Sequence, residues 1–501
     1  MNREKKLALN SISSLCFQLT TIICGFVLPR QILAAFGSNV NGLVNSITQF
    51  IAVVGFLELG VGTVVQSSLY KPLAENDDEM ISKVLKSAEK FFKTLAIILL
   101  IYIIGLIVIY PIFVKKEFDF LFTATLIASM SISSFSQYYF GIIDRLLLNA
   151  DQRGYIQYNS QTITVILNTI ACVILIKLNA SIQLVKLATS IIYTVRPFVI
   201  RRYINKHYNI NRKISYKEEP IKQKWNGVAQ HVAAVILDGT DTIVLTLFSS
   251  LQNVSIYSVY HLVVYGVKTL FTSLTNGVQA LLGELWARQE IAELKKTFGW
   301  AEWAIHTGVT FVFGCTASLI VPFIQVYTNG INDANYNVPL FALLITLANA
   351  VHCIRLPYNI MILAAGHYKQ TQSNYIVAAL LNIFVSVVTV KFWGLIGVAI
   401  GTLLAMLYQT IWMAWYDSKV FFHESLMAFL KHIIIDLTVF ICSFSVCKIF
   451  NIISFSYAAW IMLAIKDVFI WGSITIAINY VMFPEYTKKA FHKIVLKRTG
   501  E

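Results

Sequence analysis

One helical face carries seven polar residues in a stretch that is otherwise apolar. Lys268 is at its centre, and no Asp, Glu, Lys or Arg occurs in 242–267 or in 269–283. Placing a lysine mid-bilayer costs roughly 3 kcal/mol even on lenient scales, so such a residue favours a wet cavity within a helix bundle. Apart from one adjacent pair, the spacing is three or four residues. The residues are His261, Tyr265, Lys268, Thr272, Thr275, Asn276 and Gln279.

Acidic residues occupy one face of the preceding apolar stretch. His231, Asp238 and Asp241 are spaced by seven and three residues, which places them on the same side of a helix. Carboxylates are costly in hydrocarbon and usually have a function there. Three roles stay open for the two acids: they titrate with a coupling proton, bind Na⁺, or neutralise Lys268 and Arg30.

A third polar face contains an arginine. Proline removes a backbone donor, so Pro357 predicts a kink beside Arg355. The planar guanidinium suits phosphate, which makes Arg355 and its neighbour His352 candidate substrate-binding residues. The alternative is that Arg355 extends towards a lipid phosphate. The residues on this face are Asn349, His352, Arg355 and Asn359.

Two charged residues near the beginning of the chain have open roles. Arg30 follows Pro29, and it either contacts phosphate or sugar or anchors the helix at the membrane interface. Glu58 lies among three glycines that suit close helix packing, which favours a bond to a neighbouring helix end over a part in transport. We group Glu58 with Asp238 and Asp241 as residues for ion coupling or charge pairing.

Other charged residues are assigned structural roles. The segment 75–90 mixes both signs at helical spacing and is predicted to form an interfacial helix. Residues near span ends are predicted to be interfacial: Asp144, Arg145, Lys186 and Arg196. Residues in the last two apolar spans are candidates for pairing with one another: Asp436, Lys466 and Asp467.

The composition is that of a helical membrane protein. Of 501 residues, 57% are hydrophobic and 13% charged, whereas soluble proteins have about 25% charged residues. The apolar runs are too long and too continuous for a β-barrel. We predict an all-α, polytopic membrane protein with about fourteen transmembrane helices. The spans lie near 8–33, 42–66, 91–114, 120–146, 158–177, 181–200, 226–249, 254–283, 300–327, 338–364, 373–391, 394–416, 429–448 and 457–482.

Charge in the connecting loops predicts the orientation. The loop 201–225 has eight Lys and Arg, whereas the loops on the opposite side have few. The positive-inside rule therefore places both termini in the cytoplasm. The net charge of +14 mainly reflects this bias, and its dispersal over short loops disfavours nucleic-acid binding. The basic loop is expected to contact anionic membrane lipids.

A weak internal repeat divides the chain. The segments 148–159 and 363–374 match at an offset of 215 residues on either side of the basic loop. Six spans in each half predict parallel repeats with a cavity between two lobes. The predicted segments are an N-lobe (1–200, spans 1–6), a cytoplasmic basic linker (201–225), a C-lobe (226–416, spans 7–12), and two extra spans with a cytoplasmic tail (417–501).

Several motifs, in this order, give the chain a family resemblance: Pro29-Arg30-Gln31, Phe36-Gly37, Asn41-Gly42, 57–62, 69–74, 148–155 and 238–242. The chain resembles the Wzx-type polysaccharide flippases of the multidrug/oligosaccharidyl-lipid/polysaccharide exporter superfamily. That resemblance implies a bacterial plasma-membrane protein that moves undecaprenyl-pyrophosphate-linked oligosaccharide for capsule or exopolysaccharide assembly. It also implies rocking of the two lobes, and a polysaccharide polymerase and a chain-length regulator as partners.

The residues expected to meet this cargo are cationic and polar. A pyrophosphate needs fixed positive partners in a low-dielectric slab. The candidate substrate-binding residues are Arg30, Lys268, Arg355, Tyr265, Thr272, Asn276 and His352.

Two other function classes are alternatives to the flippase. A cation-coupled small-molecule or drug antiporter of the same superfamily usually has twelve spans and an acidic pocket. A membrane glycan polymerase or ligase usually needs a large external loop, whereas the longest predicted here is about ten residues, 329–338. No nucleophile elbow, HExxH, P-loop or metal-ligand spacing occurs, and the seven cysteines include no C-x-x-C. We therefore predict a protein that is not an enzyme and uses no cofactor or metal.

Overall fold

A computed structural model describes residues 3–221, 239–449 and 456–499. Within these ranges the chain forms helices and connecting turns and contains no β-strand, which confirms the all-α prediction. Eleven of the described helices are long and apolar enough to cross a membrane. The chain is thus a multi-pass membrane protein, and the count of fourteen spans stays a prediction.

Contacts group the chain into two compact units, Met1–Val235 and Ile236–Glu501. The segment boundaries predicted from the sequence stay predictions. The helices of unit 1 are α1 (Arg3–Ala52), α2 (Phe56–Glu75), α3 (Asp78–Val114), α4 (Phe120–Ser136), α5 (Ile142–Ala150), α6 (Gly154–Lys177) and α7 (Ile182–His207). Those of unit 2 are α8 (Gly239–Phe248), α9 (Leu251–Ala287), α10 (Ile291–Tyr327), α11 (Pro339–Ile354), α12 (Leu356–Ala364), α13 (Tyr368–Trp393), α14 (Leu395–Asp417), α15 (Met427–Ile449), α16 (Tyr457–Met482) and α17 (Pro484–Thr499).

Helix α1 contains a sharp bend. Gly37 has φ 80° and ψ 176°, a conformation open to glycine because it has no Cβ. The first predicted span and the beginning of the second lie on the two sides of this bend. The chain then continues through a 3₁₀ turn, Val53–Gly55, into α2.

The charged segment 75–90 is not a separate interfacial helix, which corrects the sequence prediction. Most of it is the first part of α3, which begins at Asp78 and runs on into the apolar span. The Asp77 carboxylate caps this helix by accepting from the Met80 amide at 2.9 Å. Its charges lie on one face, while the other face buries residues against α2, α5 and α7: Ile81, Val84, Leu85 and Ala88.

The two halves of the internal repeat form the same kind of turn. Gln152 ends the α5–α6 turn with φ 56°, and Gly366 has φ 74° between α12 and α13. Helices begin at residues 142 and 154 in unit 1 and at 356 and 368 in unit 2, a separation of 214 in both cases. In the structure the two halves of the repeat are therefore related by an offset of 214 residues, one fewer than the offset of 215 between the matching sequence segments. The layout of two six-helix lobes stays a prediction.

Gly314 permits a close contact between α10 and α16. A Cβ at this position would lie 2.0 Å from a ring carbon of Trp471, which is fully buried between α10 and α16. We expect Gly314→Ala to destabilise the protein by about 1–3 kcal/mol, the usual cost of overpacking. Thermal unfolding in detergent measures this. Gly105→Ala is the control, because no atom lies within 4 Å of the added Cβ. An equal melting temperature for both variants would contradict this packing.

Asp151 joins three segments of unit 1. Its Oδ1 lies 2.8 Å from Lys6 Nζ, and its Oδ2 lies 2.8 Å from Arg153 Nε. The Tyr208 hydroxyl also donates to Oδ2, at 2.6 Å. Burial and the bond to Asp151 raise the pKa of Tyr208, so this hydroxyl remains a donor at neutral pH. The motif at 148–155 thus connects the beginning of α1 to the segment after α7.

We expect Asp151→Asn to lower the free energy of unfolding by about 2 kcal/mol, because one charge-assisted bond contributes roughly 1.5–3 kcal/mol. Chemical denaturation of the purified protein measures this difference. The control is Glu75→Gln, which breaks an exposed pair with Lys71 whose nitrogen and oxygen are 3.8 Å apart. Exposed pairs contribute little, so the control should match the wild type. A stable Asp151→Asn variant would show that the cluster adds nothing.

Candidate functional site

Unit 1 contains a cavity of about 570 Å³ lined by residues of α1, α4, α5, α6 and α7. Three of its lining side chains are cations, Arg145, Lys186 and Arg196, and no carboxylate occurs among the lining residues that the structure describes. The rest of its polar lining consists of amides and hydroxyls. A cavity lined by charges of one sign inside apolar helices concentrates a positive field. The polar neutral residues are Thr48, Ser133, Ser134, Gln137, Tyr138, Gln157, Gln161, Asn168, Thr189, Ser190 and Tyr193.

A π-helical turn shapes this cavity. The segment Gln137–Gly141 interrupts the helix between α4 and α5, and three of its five residues line the cavity. A Cβ on Gly141 would lie 2.9 Å from Pro197 Cγ, so glycine allows α5 and α7 to approach closely. Such local widening of a helix is frequent at functional sites. It brings the beginning of α5, with Arg145, next to the part of α7 that contains Arg196.

Arg196 and Lys186 present charge at two depths along α7. The Arg196 guanidinium lies 3.9 Å from the centre of the Tyr193 ring, and its Nε donates to Thr164 Oγ1 at 2.5 Å. The Tyr193 hydroxyl in turn accepts from Asn168 at 3.3 Å. Lys186 comes ten residues before Arg196, about 15 Å along the helix axis at 1.5 Å per residue. The cavity therefore offers positive charge over an extended path.

The interfacial assignment of these residues needs correction. Asp144 is only 1% exposed, and it pairs with Arg212 of the segment after α7 at 2.8 Å. Arg145, Lys186 and Arg196 line the cavity instead of anchoring helix ends. The sequence does contain a signal for this. Residues at steps of three, four and three form one polar face on α7, the same kind of pattern as on α9: Lys186, Thr189, Tyr193 and Arg196.

The structure brings three of the predicted substrate-binding residues together in unit 2. Lys268 and Arg355 are buried, at 8% and 6% exposure. Arg355 donates to Gln409 and has a nitrogen 3.3 Å from His352 Nδ1. The charges of Lys268 and Arg355 both act on the His352 ring. The helix breaks at Arg355, between α11 and α12, as Pro357 predicts.

Aromatic rings extend this site along α9. Tyr257, His261 and Tyr265 stack in sequence with ring centres 5.4 Å apart, and Lys268 Nζ lies 5.7 Å from the Tyr265 ring. Tyr265 is 46% exposed, so its face is accessible. The Thr272 hydroxyl donates to the Thr269 carbonyl of the same helix, which leaves its oxygen as an acceptor.

Asp241 is buried in a hydroxyl network. Its Oδ2 accepts from Tyr257 at 3.0 Å and from Thr402 at 2.7 Å. The Thr402 oxygen accepts from Asn382 Nδ2 at 3.0 Å. The network connects α8, α9, α13 and α14. The three roles predicted for Asp241 stay predictions.

The predictions for several other residues have different outcomes. Arg30 lies half-buried in α1, and its two predicted roles, phosphate or sugar contact and interfacial anchor, stay predictions. Asp238 and His231, and the side chains of Glu58 and Asn276, lie outside the described part of the chain. The acids of the last two spans do not form one cluster. Lys466 pairs with Asp467 at 3.2 Å, whereas Asp436 lies 2.6 Å from His306.

No protein-family model and no curated protein matches the chain. Solved structures do match. The lipid II flippase MurJ, in an inward closed conformation, has a TM-score of 0.68 and 16% identity, covering 93% of this chain and 98% of its own. An inward-facing multidrug resistance MATE family transporter has a TM-score of 0.59 and 13% identity, with coverages of 81% and 98%. A Pyrococcus furiosus MOP superfamily transporter, described by the reverse polarity of its binding pocket, has a TM-score of 0.55 and 13% identity, with coverages of 83% and 96%. At these identities the similarity establishes the fold.

Proposed function

We propose that the chain is a flippase that moves oligosaccharide linked to undecaprenyl pyrophosphate across the bacterial plasma membrane, for capsule or exopolysaccharide assembly. The observation that carries this proposal is the cavity of unit 1, with three cations and no carboxylate among its described lining residues. The likeness of fold to a lipid II flippase supports it, because that protein's cargo is also lipid-linked.

The cationic lining matches the charge of the cargo. A pyrophosphate diester has two negative charges, and transferring them into a low-dielectric interior is prohibitive without fixed positive partners. Conversely, like charges inside a membrane protein are costly to keep, and they mark ion or substrate paths. An anion between Arg145, Lys186 and Arg196 lowers both the cost of burying the phosphate charges and the cost of burying the cations. A volume of 570 Å³ is within the usual range for a small-molecule site.

Unit 2 supplies the second group of contacts in this proposal. Lys268 and Arg355 bind the phosphates, and His352 orients the guanidinium. The stacked rings of His261 and Tyr265 present apolar faces with polar edges to the sugars. Thr272 and Asn276 contribute hydrogen bonds to sugar hydroxyls, and Arg30 contacts phosphate or sugar. The lipid tail stays in the bilayer, and both termini lie in the cytoplasm.

Translocation in reconstituted vesicles tests the proposal. The probe is a fluorescent disaccharide on undecaprenyl pyrophosphate, and a membrane-impermeant quencher counts the label on each leaflet. We expect protein-dependent transfer between leaflets. Vesicles that pass no more probe than protein-free vesicles would contradict the flippase.

A second candidate function is a cation-coupled antiporter of small molecules or drugs. The buried Asp241, with Tyr257 and Thr402 on one carboxylate oxygen, is the observation in its favour, because buried acids bind coupling cations in such proteins. The same vesicles, loaded with a cationic dye and given a Na⁺ or pH gradient, distinguish the two functions. Dye efflux without probe transfer would favour the antiporter.

A further inference from the structure

A second group of ionisable side chains is buried in unit 2 between α10, α12 and α15. His306 Nδ1 lies 2.6 Å from Asp436 Oδ2, and its Nε2 lies 3.0 Å from the Tyr358 hydroxyl. That hydroxyl donates to Glu302 Oε1 at 2.6 Å. A continuous chain of hydrogen bonds thus joins two carboxyl groups through a histidine and a tyrosine.

This chain is enclosed at its centre and more accessible at its ends. The His306 side chain is 1% exposed, whereas those of Asp436 and Glu302 are 13% and 10% exposed. Thr310 donates to the second oxygen of Asp436 at 2.7 Å and so fixes its orientation. Helices α10 and α15, which provide three of the four groups, are both able to cross a membrane. Linked Asp, Glu and His residues at membrane depth are typical of proton pathways.

The bonding pattern requires a shared proton. When Tyr358 donates to an ionised Glu302, its oxygen accepts from His306 Nε2–H. One proton then lies between His306 Nδ1 and Asp436 Oδ2. The reverse arrangement has the same number of protons. The Asp436 Oδ2–H bond breaks as an Nδ1–H bond forms on His306. The His306 Nε2–H bond breaks as a new O–H bond forms on Tyr358, and the former tyrosine proton passes to Glu302 Oε1. One proton moves from Asp436 to Glu302, and no other reactant is needed.

We infer that Asp436, His306, Tyr358 and Glu302 form a proton relay that couples proton movement to transport. The coupling step rests on the proposed function, whereas proton binding does not. Tyr358 lies three residues after Arg355, within the first turn of α12. A proton on the relay and an anion at Arg355 therefore act on the same short helix.

Other charged or titratable groups lie around the relay. His432 Nε2 lies 3.8 Å from Glu302 Oε2, and the His432 ring stacks on Phe483. Because these groups also influence the relay, its test compares substitutions within the relay itself. The surrounding groups are Asp417 on α14, Glu424 before α15, Lys431 and His432 on α15, and Tyr486 on α17.

Infrared titration of the purified protein tests proton sharing without any cargo. The carboxyl band of Glu302 is identified by its loss in Glu302→Gln. We expect Asp436→Asn to shift the midpoint of this band by about one pH unit or more, since strongly interacting groups titrate as a pair. Tyr358→Phe, which interrupts the chain, should also shift it. A midpoint unchanged in both variants would overturn the relay.

Transport under a pH gradient tests the coupling. For one coupled proton, each pH unit changes the accumulation ratio of the fluorescent probe by about tenfold. We expect Tyr358→Phe and Asp436→Asn to lose this response, and the control Asp467→Asn to keep it, because that buried acid pairs with Lys466 instead. A full response in Tyr358→Phe would overturn coupling through the relay. Absence of any transfer by the wild type contradicts the proposed function alone, because the infrared titration decides proton sharing independently.

Discussion

Replacing both Lys186 and Arg196 by glutamine is expected to slow transfer of the fluorescent lipid-linked disaccharide at least about hundredfold in reconstituted vesicles. Each cation that bonds a phosphate contributes roughly 1.5–3 kcal/mol, and every 1.4 kcal/mol is about tenfold. Both residues line the same cavity, and glutamine retains hydrogen-bonding ability while removing charge. The measurement is the initial rate at which label becomes accessible to the quencher.

Two controls separate charge in the cavity from charge in general. Lys186→Arg keeps the cation and should retain most of the rate. Arg288→Gln removes an exposed cation, paired with Glu284 at 2.6 Å, and should leave transfer unchanged. Melting temperatures of all variants show whether the fold is preserved. A double variant that folds and transfers probe within about twofold of the wild type would exclude the cavity of unit 1 from the cargo path.

The second large effect concerns Arg355. We expect Arg355→Lys to lower transfer by about tenfold even though the charge is kept, because a lysine cannot reproduce the planar fork. In the structure this fork reaches Gln409 and His352 at the same time. Lys268→Gln should raise the probe concentration needed for half-maximal transfer, because it removes a positive charge near the same site. Surface glycan on intact cells provides a second readout.

Substitution of Arg355 is also expected to lower stability, because Arg355 is only 6% exposed and its loss leaves the Gln409 side-chain oxygen without this donor. The double variant Arg355→Leu with Gln409→Leu replaces both partners by apolar groups and should recover stability without recovering transfer. Recovery of transfer in this double variant would show that Arg355 has only a structural role.

The sequence signal for the polar residues of unit 2 is clearer than the signal for the cavity of unit 1. Lys268 stands alone in a long uncharged stretch, so its cost in hydrocarbon was evident. Arg145 and Arg196 lie near loops rich in charge, where interfacial positions are the usual explanation. Their places in the lining of one cavity depend on the π turn and on the contact of Gly141 with Pro197, which only the structure shows.

The relay could not be predicted from the sequence for a related reason. His306 and Asp436 are 130 residues apart and meet only through the packing of α10 against α15. Composition and apolar length sufficed for the fold class, because each membrane helix satisfies its own backbone. By contrast, the extension of α3 into the charged segment 75–90 depended on a core formed by α2 and α5, and that core is a tertiary feature.

The central claim is that the cargo is recognised by its negative charge, and a binding comparison tests it most directly. The two ligands are a disaccharide on farnesyl pyrophosphate and the same disaccharide on uncharged farnesol, titrated against the purified protein at fixed salt. The account predicts at least about hundredfold tighter binding of the pyrophosphate. That preference should fall to less than about tenfold in the variant with Lys186→Gln and Arg196→Gln. Equal affinity of the wild-type protein for the charged and the uncharged ligand would contradict the account.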